Sequence, residues 1–190
     1  MKTQFKSNKH KNIYNSAQDL FWKHGIKKVS VEEICKKAEV SKMTFYKFFS
    51  NKTDLAIIIL NDKINTSIKR HIDVINSDMP FQEKIKKFFE LKAIDTNELS
   101  FEFVDDFIHI PELKATYESS KKKVFDLFID FLKDSQKKGL IRKDIKIEFI
   151  IRQLILAHTI MEDEHLLSLY KNPQELAIES MNFIFYGILS

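Results

Sequence analysis

The chain has 190 residues, of which 31% are charged and 44% are hydrophobic, as is usual for a globular protein. With only three Gly and three Pro, the sequence excludes a glycine-rich phosphate loop and disfavours a sheet-rich fold with many turns. The single Cys excludes an intrachain disulfide and fits a reducing compartment, so we expect a cytoplasmic protein.

Charge is distributed unevenly along the chain. Residues 1–52 contain 12 Lys and Arg against 4 Asp and Glu, whereas residues 53–190 contain 19 against 23. A polyanion would therefore bind the N-terminal part and not the remainder. The basic residues 1–11 precede the first helical pattern, and we favour a disordered tail there over an arm that contacts a DNA backbone.

The first helix is marked by Ile13, Ala17 and Phe21, which recur at helical spacing, and Gly25 ends it. A second helix follows Ser30, because a Ser with Glu three residues later forms a capping box. Cys35 lies on the apolar face of this helix, which indicates a core position.

A third helix, residues 42–49, begins at a second N-cap, Ser41. Two such short helices joined by so tight a turn must cross steeply, which is the helix-turn-helix arrangement. Phe45 and Phe49 are four residues apart and can pack inward. The outer side is predicted to carry five polar or flexible side chains: Lys42, Met43, Thr44, Tyr46 and Lys47.

Exposed Tyr and Met beside Lys are unusual for a helix face that only meets solvent, but they suit a surface that meets phosphates and base edges. Ser50 or Asn51 is the predicted cap of the next helix, which places Lys52 at a helix N-terminus. A bound phosphate there would offset the unfavourable cation. An ordinary solvated Lys52 is an equally good reading.

The remainder of the chain reads as further helices separated by Pro, Gly and Asp signals. The predicted ranges are 55–76, a helix after Pro80, 101–108, 112–138, 144–169 with Asp144 as its cap, and a last helix from Pro173. The fold class is therefore all-α, with about nine helices. We predict a helix-turn-helix DNA-binding domain over residues 1–54 and a second helical domain over residues 55–190.

The last two helices are apolar almost all round, and such helices must be covered on both sides. We predict a two-fold homodimer in which these helices form a four-helix bundle. One large core within a single chain is the alternative. The dimer would hold two recognition helices about one DNA turn apart, ~34–36 Å, and would read a palindrome.

Two groups of residues in the body of the protein, residues 55–190, suggest a site for a ligand or a metal. An aromatic group that could line an apolar effector cavity comprises Phe103, Phe107, Tyr117 and Phe128, although we favour ordinary core packing for any one of them. His158, Glu162 and His165 share one helix face and could ligate a metal, but a solvent-facing surface fits them better. The alternative for His158 is a polar group in the effector cavity. We predict no cofactor and no metal.

Residues 10–60 resemble the DNA-binding domain of TetR-family transcriptional regulators. The matching pieces are Phe21-x-x-x-Gly25, Ser30-Val31-x-x-Ile34-x-x-x-Ala38, Val40-Ser41-x-x-Thr44-Phe45-Tyr46-x-x-Phe49 and Asn51-Lys52-x-x-Leu55. The resemblance implies an all-helical dimer in which the second domain, residues 55–190, is the effector-binding and dimerisation domain. It implies that Lys42 and Met43 face bases and that Thr44, Tyr46 and Lys52 hold phosphate. The predicted DNA-binding set also includes Ser30, Ser41 and Lys47.

The chain departs from the family pattern at three positions. Glu39 stands in the turn where Gly is usual, and a turn with φ > 0 would be strained there. Met43 replaces a frequent Gly and could touch a thymine methyl. Phe48 replaces His or Tyr and cannot hydrogen-bond a phosphate.

These observations predict a DNA-binding repressor that binds a palindromic operator as a homodimer and is released by a small apolar or aromatic effector. It would be no enzyme. Two alternatives stay open: a helical metal-dependent enzyme that uses His158, Glu162 and His165, and a DNA-binding protein whose body recruits a protein partner.

Overall fold

The computed structural model describes residues 3–97, 100–160, 163–171 and 173–186. Ten α-helices make up the secondary structure of these residues. In chain order they are α1 (Asn8–His24), α2 (Val31–Lys37), α3 (Lys42–Phe48), α4 (Lys52–Ile75), α5 (Phe81–Asn97), α6 (Phe101–His109), α7 (Pro111–Lys137), α8 (Ile147–Ile160), α9 (Glu164–Ser168) and α10 (Pro173–Tyr186). The predicted all-α fold class is confirmed. None of the described helices has the length and apolar character needed to cross a membrane.

One predicted helix, residues 144–169, is in fact two helices, so the described residues contain ten helices rather than about nine. Asp163 starts α9 by accepting a hydrogen bond from the Leu166 N–H at 3.0 Å. Asp144 is not a helix cap. Its carboxylate accepts from Arg142 Nε at 3.0 Å, and α8 begins three residues later, at Ile147.

The chain divides into two compact units. The first comprises Met1–Ile72 and Ile94–Lys123, and the second comprises Asp73–Ala93 and Val124–Ser190. The first unit thus holds α6 and the beginning of α7 together with the helix-turn-helix region. The predicted domain boundary after residue 54 does not coincide with these units and stays a prediction about function.

The first unit has a continuous apolar core around α1, α2 and α3. Phe21, Ile34 and Phe45 are fully buried there, and Phe103 of α6 is buried among them. Cys35 belongs to this core, as predicted, and burial raises the pKa of its thiol. The core holds α3 by its inner side and leaves its outer side exposed.

The second unit has its own aromatic core. Phe88 and Phe128 lie with ring centroids 4.6 Å apart, and the rings of Phe81 and Phe131 stack at 5.6 Å. Phe185 of α10 is also buried in this cluster. Offset and tilted ring pairs at these distances add to the apolar burial.

Candidate nucleic-acid interface

Reciprocal hydrogen bonds fix the start of α2. The Glu33 N–H donates to Ser30 Oγ at 3.2 Å, and the Ser30 N–H donates to the Glu33 carboxylate at 2.7 Å. The predicted capping box is confirmed. Val29 and Ile34 flank the cap and are both buried in the core of the first unit, so the entry angle of α2 is set by packing as well.

The turn between α2 and α3 is left-handed at Glu39, whose φ is 55°. The Val40 N–H donates to the Cys35 carbonyl at 3.0 Å and closes this turn. A side chain at positive φ brings Cβ close to the backbone, so Glu39 is strained where Gly would not be. The predicted strain is therefore present, and the turn keeps its geometry despite it.

The orientation of α3 follows from its cap and its two buried Phe residues. Ser41 Oγ accepts from the Thr44 N–H at 3.2 Å and lies 3.0 Å from Thr44 Oγ1. Phe45 and Phe49 are buried on the inner side. The outer side presents Met43, with 85% of its surface exposed, and Tyr46, with 56% exposed.

The polar residues predicted to contact DNA cluster around this outer side. Ser41, Lys42 and Lys47 are exposed, and Thr44 is half-buried. Ser30 is half-buried at the start of α2. The N-terminal turns of two helices and a mixed cationic and apolar surface are thus presented by one small domain.

Lys52 has a structural role that local sequence patterns do not reveal. Its ammonium donates to the carbonyls of Ile26 at 2.8 Å, Lys27 at 3.0 Å and Val29 at 2.7 Å. These bonds use all three hydrogens of an ammonium and tie the start of α4 to the loop between α1 and α2. The predicted phosphate contact stays a prediction, and it would require one of these bonds to exchange. The cap of α4 is Asn51, one of the two predicted residues, which accepts from the Asp54 N–H at 2.8 Å.

The same loop is held from its other side by Asp106 of α6, which sequence reasoning missed. Asp106 is 6% exposed and accepts from the Lys27 N–H at 2.7 Å, and its other oxygen lies 3.4 Å from Lys27 Nζ. A Cβ at Gly25 would lie 2.7 Å from this carboxylate, so only Gly allows the approach. Asp106 lies 79 positions after Lys27, so no short-range sequence pattern links the two residues. The only sequence signal near this contact was Gly25, which marked the end of α1.

The residues before α1 are folded back against it, so the interpretation of a disordered tail is wrong for residues 3–7. The Thr3 N–H donates to the Asp62 carboxylate at 3.1 Å, and Tyr14 Oη donates to it at 3.0 Å. Burial and the charge of Asp62 raise the pKa of Tyr14. Phe5 packs edge-on against Tyr14, with centroids 5.2 Å apart.

Phe48 joins this N-terminal segment to α3. The His10 ring stacks on Phe48 at 4.8 Å with an interplanar angle of 5°. Phe48 therefore contributes to packing at a position where the family usually has His or Tyr. We assign no phosphate contact to Phe48.

The predicted effector residues whose side chains are described are distributed over both units. Phe103 belongs to the core of the first unit, and Tyr117, also in that unit, is 38% exposed. Phe128 belongs to the aromatic core of the second unit. The side chains of Phe107 and His158 lie outside the described residues.

A cavity of about 280 Å³ lies in the second unit, and none of the predicted effector residues with a described side chain (Phe103, Tyr117 and Phe128) lines it. It is bordered by the end of α4, the start of α5 and the last turns of α7, through residues such as Ile75, Phe81, Lys84 and Phe131. Lys84 Nζ donates to the Ile75 carbonyl there at 2.8 Å.

The metal alternative gains no support from the part of the chain that is described. His165 is exposed, and the side chains of His158 and Glu162 are outside the described residues. No group of three or more His, Cys, Asp or Glu among the described residues is arranged to hold a metal ion.

Two capped helices that cross at a tight turn, with the second one buried on one side and exposed on the other, define a helix-turn-helix DNA-binding domain. Residues 13–57 match the sequence model of the family described as "Bacterial regulatory proteins, tetR family". Residues 13–57 therefore form a TetR-family DNA-binding helix-turn-helix domain, as the motifs indicated, and the chain is similar to transcriptional regulators. This is a family of regulators and not of enzymes.

Similarity extends beyond this domain. The chain is 23% identical over 189 residues to the uncharacterized HTH-type transcriptional regulator YdgC of Bacillus subtilis, covering 94% of this chain and 92% of that protein. A transcriptional regulator from Cytophaga hutchinsonii has a similar structure, with a TM-score of 0.75, 19% identity and coverage of 97% and 100%. A regulator from Saccharomonospora viridis, solved in complex with choline, has a TM-score of 0.72, 15% identity and coverage of 95% and 97%. These structures are similar in fold.

Proposed function

We propose that the protein is a cytoplasmic repressor that binds a palindromic operator as a homodimer and leaves it when a small effector binds. The observation that carries the DNA-binding part is the outer side of α3. Met43 and Tyr46 are large side chains on this side, and both are exposed beside the exposed Lys42 and Lys47, so the surface is apolar and cationic at once. A duplex would cover all four.

The interface divides into residues that hold phosphates and residues that read bases. Lys42 and Met43, at the start of α3, would enter the major groove, where Lys pairs with guanine and an apolar side chain meets the thymine methyl. The DNA phosphates would be contacted by Ser30, Ser41, Thr44, Tyr46, Lys47 and Lys52. Lys52 would first have to exchange one of its hydrogen bonds to the loop between α1 and α2 for a bond to phosphate. Phosphate contacts position the protein, and base contacts provide its choice of sequence.

The dimer part of the proposal is supported by exposed apolar side chains on α8 and α10. Phe149 and Phe183 are the largest of them, and Ile155 and Ile178 accompany them. Monomeric proteins rarely leave such surfaces to water. A second copy of the chain would cover them through the four-helix bundle predicted from the sequence.

The effector part is supported by the aromatic content of the body and by the choline complex of a regulator with a similar fold. Phe103, Phe107, Tyr117, Phe128 and His158 stay the candidate contacts to an apolar or aromatic molecule, but Phe103 and Phe128 lie in different cores, so a molecule bound within either core would meet only some of the five. The effector would have to bind more tightly to a conformation in which α4 holds the two α3 helices at the wrong spacing, because a ligand shifts populations only by such a difference.

The experiment is a titration of a fluorescent duplex from the protein's own promoter, measured at several salt concentrations beside a scrambled duplex. Affinity should favour the promoter and fall with salt, by about 0.9 in log K per log salt unit for each phosphate neutralised. Lys42→Ala should reduce the preference between the two duplexes, whereas Lys47→Ala should weaken both alike. Equal affinity for both duplexes, or no response to salt, would contradict the proposal.

A further inference from the structure

A charge pair joins the first turns of α2 and α3 next to the proposed base-reading residues. The carboxylate of Glu32, the second residue of α2, pairs with the ammonium of Lys42, the first residue of α3. Both side chains remain largely exposed, at 59% and 55%. The hydrogen bond between them lowers the pKa of Glu32 and raises that of Lys42, so both groups are charged at neutral pH.

The other acidic side chains among residues 1–52 have different local settings. Glu33 closes the capping box, Asp19 pairs with Lys37 at 2.9 Å, and Glu39 occupies the left-handed turn. Glu32 alone among these four places its carboxylate against a residue proposed to enter the groove. Its repulsion of phosphates lowers affinity for every duplex, and exposed ion pairs add little to stability. Its carboxylate complements the dipole at the N-terminus of α2, and its contact with Lys42 would give it a second use in the choice of sequence.

The chemistry of the major groove provides such a use. Carboxylates accept hydrogen bonds from the N4 amino group of cytosine, and Lys donates to O6 and N7 of guanine. A thymine at the same place offers only an acceptor oxygen and a methyl group, which leave a carboxylate desolvated and unpaired. Resting on the proposed DNA-binding function, we propose that Glu32 is a specificity-determining residue that selects cytosine in each half-site while Lys42 reads the adjoining guanine.

The test is selection of binding sites from a randomised duplex library by the full-length protein, with Glu32→Gln compared with the wild type. The wild type should select cytosine at one position of each half-site. In Glu32→Gln the preference at that position should fall by about tenfold, the loss expected for one good base contact. The side chain is exposed, so the variant should keep the melting temperature of the wild type.

Asp19→Asn is the matched control. It removes one negative charge from another exposed ion pair of the same domain, that with Lys37, and should leave every base preference unchanged. A Glu32→Gln variant that selects the same bases as the wild type at all positions would overturn the inference while leaving DNA binding intact. A wild type that selects no duplex at all would overturn the proposed function itself.

Discussion

At the scale of single residues, the turn between α2 and α3 contains a conformation that disfavours its side chain. Glu39, with φ 55°, is the one non-Gly residue at positive φ in the described part of the chain. Replacing it with Gly relieves a penalty of roughly 1–2 kcal/mol, partly offset by the greater freedom of Gly in the unfolded chain. We expect Glu39→Gly to raise the free energy of unfolding by about 1 kcal/mol, measured by urea denaturation. Glu39→Gln keeps the strain and removes the charge, so an equal gain in that variant would show that charge is responsible.

Lys52 leads to a second prediction at this scale, because its bonds are to the protein's own backbone. Lys52→Met leaves the carbonyls of Ile26, Lys27 and Val29 without their shared donor, and the loop before α2 loses its tie to α4. We expect the free energy of unfolding to fall by about 1–3 kcal/mol, the usual cost of losing a charged hydrogen-bond donor. Lys47→Met, on the exposed side of α3, should change stability by no more than about 0.5 kcal/mol. Equal stability of the two variants would mean that Lys52 does not hold the loop.

At the scale of elements, the segment before α1 depends on a neutral His10. Its Nδ1 accepts from the Lys6 N–H at 3.1 Å, which an imidazolium cannot do, and its ring stacks on Phe48. Burial, followed by the charge of Lys6, lowers the pKa of His10 from its usual 6.5. The unfolded chain therefore binds the proton more readily than the folded one. This part of the stability is complete above about pH 6.5 and is lost as the pH falls towards the lower, folded-state pKa.

The measurement is the melting temperature between pH 7.5 and pH 5, followed by circular dichroism. Wild-type protein should lose more stability on acidification than His10→Gln, which has no titrating ring at this position. His24→Gln, at the exposed end of α1, should retain the wild-type pH dependence. Identical profiles for wild type and His10→Gln would contradict the role given to the neutral ring.

Helices and their caps could be predicted from the sequence where the residues that define them are close together in the chain. The capping box of Ser30 and Glu33, the cap at Ser41 and the inner and outer sides of α3 all depend on residues within about four positions of one another. Lys52 and Asp106 could not be assigned their partners, because the carbonyls and the N–H that they bind lie 23–26 and 79 residues earlier. The split between α8 and α9 was missed because the apolar pattern runs on through the cap at Asp163.

At the scale of the whole molecule, the compact units follow packing and not the boundary that the motifs suggested. Phe103 and Leu113 are buried in the same core as the helix-turn-helix region, so the first unit includes residues far along the chain. The sequence shows that such side chains are apolar, but it does not show which of two cores they enter. The proposed effector residues are divided between the two cores for this reason, since Phe103 belongs to one and Phe128 to the other.

The assembly prediction also belongs to this scale, since two-fold recognition of a palindrome requires two copies of the chain. Phe183 of α10 is 85% exposed, on the surface proposed to be covered by a second copy. Size-exclusion chromatography with light scattering should give twice the chain mass at micromolar concentration. Phe183→Glu should give a monomer with the wild-type helical content, because a buried carboxylate at the interface is costly and an exposed one is not.

Phe101→Glu is the control for this variant. Phe101 is 81% exposed on α6, away from α8 and α10 in the sequence, so its substitution should leave the dimer intact. The monomeric Phe183→Glu protein should also bind a single half-site and the full palindrome with nearly equal affinity, since one helix-turn-helix domain gains nothing from a second site. A wild-type monomer, or a Phe183→Glu protein that remains a dimer, would contradict the proposed interface.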